Sequence, residues 1–188
     1  MPFSDEPFAS RVEVVAYQGR WAREGADLVD RLRQLLPSAT AVDHIGSTAV
    51  PGLCAKDCLD AMVRVTALTP GDLIPLLDAG FRERPEEWNR AETMDEVTYP
   101  KRVFAPPIGG RSVNVHVREA GSATARYALL FRDYLRADQD SRDSWGQFKT
   151  LIAKSEADIY AYGQIKATVQ PLLMTLADRW AVDSGWRP

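Results

Sequence analysis

Apolar and polar residues follow two different rhythms along this chain of 188 residues. Up to about residue 120, short strand-like runs alternate with helical stretches; from Ser122 onward only helical spacing remains. In the first part, Val12 to Val15 is a short strand candidate. A helix follows, with Trp21, Leu28, Val29, Leu32, Leu35 and Leu36 on one face and Pro37 as its stop. Ala41 to Gly46 reads as a strand, Ser47 to Lys56 as a loop punctuated by Pro51 and Gly52, and Cys58 to Val65 as a second strand. Thr69 as cap, Pro70 and Asp72 in the first turn and Gly80 past the end predict the next helix. Phe81 to Arg84, Thr98 to Ala105 and Ser112 to Val117 complete the predicted strands. Residues 85–97 are polar and irregular, which predicts a mobile surface loop in preference to a recognition element.

The second part carries three apolar stripes. Tyr127, Leu130, Phe131, Tyr134 and Leu135 form the first, and Trp145, Phe148 and Ile152 the second. The third holds Tyr162, Ile165, Val169, Leu172, Leu173, Leu176 and Trp180, with Pro171 a possible kink. Their aromatic members read as core. No repeat or low-complexity linker divides the chain, so one unit over 1–188 is expected, an α+β core at 12–120 followed by helices at 121–182.

Composition excludes little and narrows some. Hydrophobic content of 45% and charged content of 26% are those of an ordinary globular protein. The apolar runs are too short to cross a bilayer and Met1-Pro-Phe-Ser-Asp-Glu-Pro7 has no signal-like core, so a cytoplasmic location away from membranes is expected. A net charge of −3 makes a nucleic-acid partner unlikely, although arginines gather between Arg82 and Arg142, as a solvated face or an anion-binding groove. Cys54 and Cys58 have no second ligand pair nearby and read as reduced, small core residues.

The candidate chemistry lies in the stretch from Asp43 to Asp60. Gly46 lets backbone approach an anion, and Ser47, with Thr48 beside it, can hold phosphate oxygens; alone the Gly-Ser pair reads as a plain turn, and only its combination with Asp60 points to phosphate. Asp60, at the front of an apolar run, suits Mg²⁺ shared with substrate phosphates; the alternative is a structural carboxylate receiving N–H groups from the 47–56 loop. Strand alternation places Val42, His44 and Gly46 on one face, Cys58, Asp60, Met62 and Arg64 on another, and Asn114 with His116 on a third. If these strands are neighbours, His44 and His116 converge near Asp60. Each could then be a general base, a metal ligand or a phosphate partner, or a hydrogen-bonded structural residue. Lys56 and Lys166 are candidate partners for a polyphosphate or simply solvated side chains, with Lys56 preferred because it lies inside the motif.

His44-Ile-Gly-Ser-Thr-Ala-Val-Pro-Gly-Leu53 with Ala55-Lys56 and Asp60, then Val113-Asn-Val-His-Val117, then Phe131-Arg-Asp-Tyr-Leu-Arg136, resembles the GrpB family, also called UPF0157. Phe148-Lys149-Thr-Leu151 and Tyr162-Gly-Gln-Ile-Lys166 fit its helical end, so the resemblance runs from about Val12 to about Leu176. It implies a nucleotidyltransferase-like fold, with a mixed β-sheet, flanking helices and a C-terminal helical part. In that superfamily a Gly-Ser turn precedes a pair of acids on a strand. Gly46, Ser47 and Asp60 match the turn and first acid, but the second acid falls on Met62, and Asp57 is an imperfect substitute. Two readings follow. In one, the protein moves a nucleotidyl group from a nucleoside triphosphate to a small acceptor. Gly46 and Ser47 then hold the triphosphate, Asp60 anchors Mg²⁺ with help from His116 or Asp57, and His44 or Lys56 balances charge. In the other, it is a non-catalytic module for a nucleotide, another phosphorylated small molecule or a partner. Because the family also occurs fused behind dephospho-CoA kinase, an accessory role in coenzyme A metabolism is a version of this second reading. The chain holds no G-x-x-x-x-G-K-[ST] motif.

Overall fold

A computed structural model describes residues 3–7, 12–155 and 158–188. Helix α1 (Arg20–Leu35) leads into strand β1 (Ala41–Ile45), and a 3-10 turn at Ser47–Ala49 opens the loop to β2 (Leu59–Val65). A capping box between Thr69 and Asp72 starts a 3-10 turn that runs into the short helix α2 (Ile74–Asp78). Next come β3 (Arg82–Glu83), β4 (Ala91–Met94), β5 (Val97–Ala105) and β6 (Val113–Glu119), and then helices α3 (Ala123–Ala137), α4 (Gln139–Lys154) and α5 (Ile159–Ser184).

The sheet order is β1-β2-β6-β5-β3, with β4 attached to the other end of β5. Only β2 and β6 are parallel, so the sheet is mixed and the architecture is the expected α+β one. The pleat gives the central strands two unlike faces. Leu59, Ala61, Val63 and Val65 on β2, with Val113, Val115 and Val117 on β6, pack against Trp21, Val29 and Leu32 of α1. The opposite face carries Asp60, Met62 and Arg64 level with Asn114, His116 and Arg118. Helix α3 covers Met62 there through Ala125 and Leu129. Asp60, Asn114 and His116 are left lining open cavities.

The loop after β1 is tied down from below. Val50 and Leu53 are buried among Leu130, Phe131, Trp145 and Leu173 of the helical part, and Arg136 donates to the Ala49 carbonyl at 2.9 Å. Burying such side chains is worth about 1.5–3 kcal/mol each, so the turn at Gly46–Ser47 is held rigidly against the helices.

Several elements depart from the sequence reading. Val12 to Val15 forms no strand, only a single bridge between Val15 and Ala55. Residues 85–97 hold a 3-10 turn at Glu87–Asn89 and then β4, which joins β5 through a two-residue turn at Asp95 and Glu96, both with positive φ. Such a turn ordinarily shows Asn-Gly. What fixes β4 is charge: Glu92 accepts from Lys101 at 2.7 Å and from Arg118 at 2.8 and 2.9 Å. In α5, Ile165, Leu172 and Leu176 face solvent, and Met174, Ala177 and Ala181 are buried beside Tyr162 and Leu173 instead. Pro171 lies inside that helix. Several arginines between Arg82 and Arg142 are held by acids instead of lining an anion groove. Arg82 grips Asp5, Arg84 grips Glu6, Arg111 grips Glu24 and Asp57, and Arg132 grips Asp43 and Asp133.

Candidate functional site

Gly46 has φ 70° and ψ −169°, a conformation open essentially to glycine alone. The reason is visible beside it: a Cβ at this position would lie 2.5 Å from Asp60 Oδ2. The turn and the carboxylate, separated by a long loop in sequence, therefore touch in space. Ser47 and Asp60 both line a cavity of about 500 Å³ on one side and one of about 540 Å³ on the other. His116 and Lys166 also border both, so the two form lobes of one cleft between the sheet and α5.

Burial raises the Asp60 carboxyl, but His116, Asn114 and Lys56 outweigh that and hold it at about 2. Its Oδ1 accepts from Asn114 Nδ2 at 3.0 Å and lies 3.5 Å from His116 Nε2. These partners come from β6 rather than from the 47–56 loop. Asn114 Oδ1 in turn accepts from Arg84, at 3.2 Å from Nε and 2.9 Å from Nη2, and Arg84 is paired with Glu6. A relay of polar contacts thus runs from the N-terminal segment to Asp60. Burial pushes the His116 imidazole down, with Arg118 and Lys101 adding to the effect and Asp60 opposing it. With Nε2 turned to a carboxylate, its buried Nδ1 has no hydrogen-bond partner among the described residues.

Lysines supply the positive side of the cleft. Lys149 of α4 is 2% exposed, and its Nζ reaches Ser47 Oγ at 2.9 Å and the Cys54 carbonyl at 2.5 Å. Burial pushes this ammonium down to about 7; Cys54 and Asp60 pull it up, and Lys166 and Lys56 push it further down. Lys166 is lowered by burial and by Lys56. The ammonium groups of Lys56 and Lys166 lie 5.8 and 6.0 Å from the Tyr162 ring centre. Three lysines that repel one another beside one carboxylate favour an anionic guest, since it relieves their mutual repulsion.

The predicted site residues separate into two groups. Gly46, Ser47, Asp60, His116, Lys56 and Lys166 come together at the cleft. Thr48 borders it, but its hydroxyl is engaged by His44 Nε2 at 3.0 Å. His44 is not at the cleft: it pairs with Ala61 in register, on the face opposite Asp60, and its ring abuts Gly25 of α1. The expected convergence of both histidines holds for His116 alone. Asp57 is also elsewhere, taking Arg20 at 2.6 Å, the Trp21 indole at 2.7 Å and a short bond from Arg111. It ties α1 to the segment before β6. Sequence reasoning missed Lys149 as a site residue, although its position between Trp145 and Ile152 on an apolar stripe marks it as a buried lysine.

Met62, where the second acid would stand, is fully buried against Ile45, Ala125 and Leu129. No cluster of three or more His, Cys, Asp or Glu side chains among the described residues could hold a metal. The residues therefore do not fit a two-metal centre, which needs carboxylates bridging both ions.

A family model described as "GrpB protein" matches residues 11–174. A UPF0157 protein of Streptomyces coelicolor is 36% identical over 87% of this chain and 82% of its own length. A dephospho-CoA kinase of Mycolicibacterium paratuberculosis is 32% identical over 94% of this chain, which spans only 48% of that protein. Among solved structures, the GrpB protein of Enterococcus faecalis superposes with a TM-score of 0.73 at 22% identity, over 89% of this chain and 99% of that one. Cid1 in complex with its short product ApU superposes with a TM-score of 0.50 at 17% identity, over 72% of this chain and 42% of that one. These likenesses establish the nucleotidyltransferase-like fold. No helix among the described residues is long and apolar enough to cross a membrane.

Proposed function

The chain belongs to the GrpB family, and from that premise we propose that it binds a phosphorylated small molecule, a nucleotide, through its phosphates and without a two-metal reaction centre. The observation that carries this reading is the Lys149–Ser47 contact at the glycine turn, with Lys56 and Lys166 facing the same cleft. A buried lysine near neutrality gains most from an anion, because the ligand's charge both restores its proton and offsets its desolvation. Phosphate oxygens would lie against Ser47 Oγ and the lysine ammonium groups. Asp60, held by Asn114 and packed on Gly46, would shape the turn rather than contact the phosphates.

Calorimetric titration with ATP and with dephospho-coenzyme A, the latter prompted by the names of the kinase relatives, tests this. Binding should persist when EDTA removes all divalent ions, and Lys166→Ala should weaken it about tenfold, in line with the loss of one charge-assisted hydrogen bond. Absence of binding, or binding abolished by EDTA, would overturn the reading. Nucleotidyl transfer with Mg²⁺ is the second reading, favoured by the ionised Asp60 beside an intact glycine turn. Mg²⁺-dependent pyrophosphate release from ATP, lost in Asp60→Asn, would establish it over the first.

A further inference from the structure

The mouth of the cleft carries two large aromatic side chains that the core does not use. Trp88, in the 3-10 turn before β4, is 54% exposed, and Tyr160, in the first turn of α5, is 51% exposed. Their ring centres are 6.4 Å apart with planes inclined at 55°. Both border the same lobe as Ser47, Lys149 and Lys166. A single exposed aromatic side chain is ordinary, but here two from elements far apart in sequence meet at the rim of one cavity.

Helix α5 arranges this lobe as a gradient. Tyr160 is half exposed at one end of the lobe, and Lys166, less exposed, lies about 9 Å further along the helix axis at 1.5 Å per residue. A guest that satisfies both ends has a flat, apolar ring at one end and anionic groups at the other.

We propose that Trp88 and Tyr160 form a stacking platform for the planar base of a nucleotide whose phosphates lie against Ser47, Lys149 and Lys166. This inference rests on the anion-binding reading above and adds to it the ligand's other half. Stacking accepts every base, since each has a π-face, so the platform selects for a ring and not for its identity.

The experiment compares two probes on the full chain by calorimetry: ATP and sodium tripolyphosphate. ATP should bind at least tenfold more tightly than tripolyphosphate. Trp88→Ala should weaken ATP about tenfold and leave tripolyphosphate unchanged, Tyr160→Ala should act in the same direction, and Trp88→Phe should retain most of the affinity. If Trp88→Ala weakens both probes alike, its effect is structural and the platform is refuted. If tripolyphosphate binds as tightly as ATP and neither alanine variant matters, the platform is refuted while the anion cleft stands. If tripolyphosphate and ATP both fail to bind the unmodified protein, the cleft reading falls and takes the platform with it.

Discussion

Replacing Gly25 with alanine should destabilise this protein although the same change stabilises most helices. Gly25 lies in the middle of α1, where alanine gains about 1 kcal/mol over glycine in propensity. The added methyl, however, would sit 2.1 Å from His44 Nδ1 and 2.5 Å from Cε1, roughly 1–1.4 Å inside the contact distance of about 3.5 Å. The imidazole cannot simply turn aside, because Nε2 is bonded to Thr48 at 3.0 Å. Overpacking costs about 1–3 kcal/mol and the lost hydrogen bond about 1, for a net loss of about 1–3 kcal/mol. His44→Ala removes the obstacle, so Gly25→Ala in that background should be neutral or stabilising, with a coupling of about 2–4 kcal/mol between the two sites. Urea denaturation of the four proteins measures it, and additive effects would refute the packing argument. The ring also leaves a pH signature. Burial pushes His44 down to about 4 against an ordinary 6.5, aided by Arg136 and Arg132 and opposed by Asp60. The unfolded chain therefore takes up the proton first, and stability falls as pH drops from about 6.5 to about 4. After discounting for partial exposure this amounts to about 2 kcal/mol, and it should vanish in His44→Ala.

Lys149 near 7 should make ATP binding take up a proton above neutral pH, so affinity falls as pH rises from 7 to 9; binding heats that do not vary with buffer ionisation enthalpy would contradict this. Glu6→Gln should cost about 3 kcal/mol in thermal denaturation, because it removes the carboxylate that takes two hydrogen bonds from the buried Arg84 guanidinium, and an Arg84→Met, Glu6→Leu pair should recover most of the loss. Glu92 is raised by burial but carried down to about 2 by Arg118 and Lys101, so its stabilisation is complete above its ordinary 4.5 and lost as pH falls toward 2. In acid titrations followed by circular dichroism, Glu92→Gln should flatten that limb by about 3 kcal/mol; an unchanged slope would place the acid sensitivity elsewhere.

Where apolar spacing decides the structure, the sequence was readable. The stripe of α1 and the alternation of β2 and β6 placed the central strands and the core, and the string from His44 to Asp60 pointed to the contact between turn and carboxylate. Two of the misses share a cause: charge doing what apolar packing ordinarily does. Strand β4 is fixed by Glu92 against Lys101 and Arg118, which no hydrophobic pattern displays. The arginines between Arg82 and Arg142 read as a surface cluster because their acids, such as Asp5 and Glu6, lie far away in sequence. His44 went astray for a different reason. Strand alternation assigns a side chain to a face, but only the register of β1 against β2 says which face Asp60 shares. With Ile45 opposite Asp60, His44 falls opposite Ala61 and turns toward α1.

That register also explains how a glycine turn and one acid can persist beside a methionine. Asp60 is at once the residue that Gly46 must clear and the acceptor of Asn114, which Arg84 orients from the far side. A carboxylate with these duties is kept by packing and hydrogen bonding whether or not a metal ever visits it. The position two residues on has no such duty at the cleft, because α3 closes over it, and a side chain fully buried among Ile45, Ala125 and Leu129 is stable there only if it is apolar. Covering that end of the sheet with α3 leaves no place for a second acid. The helices beyond it bring Lys149 and Lys166 to the same cleft, so the positive charge facing the turn comes from the chain itself.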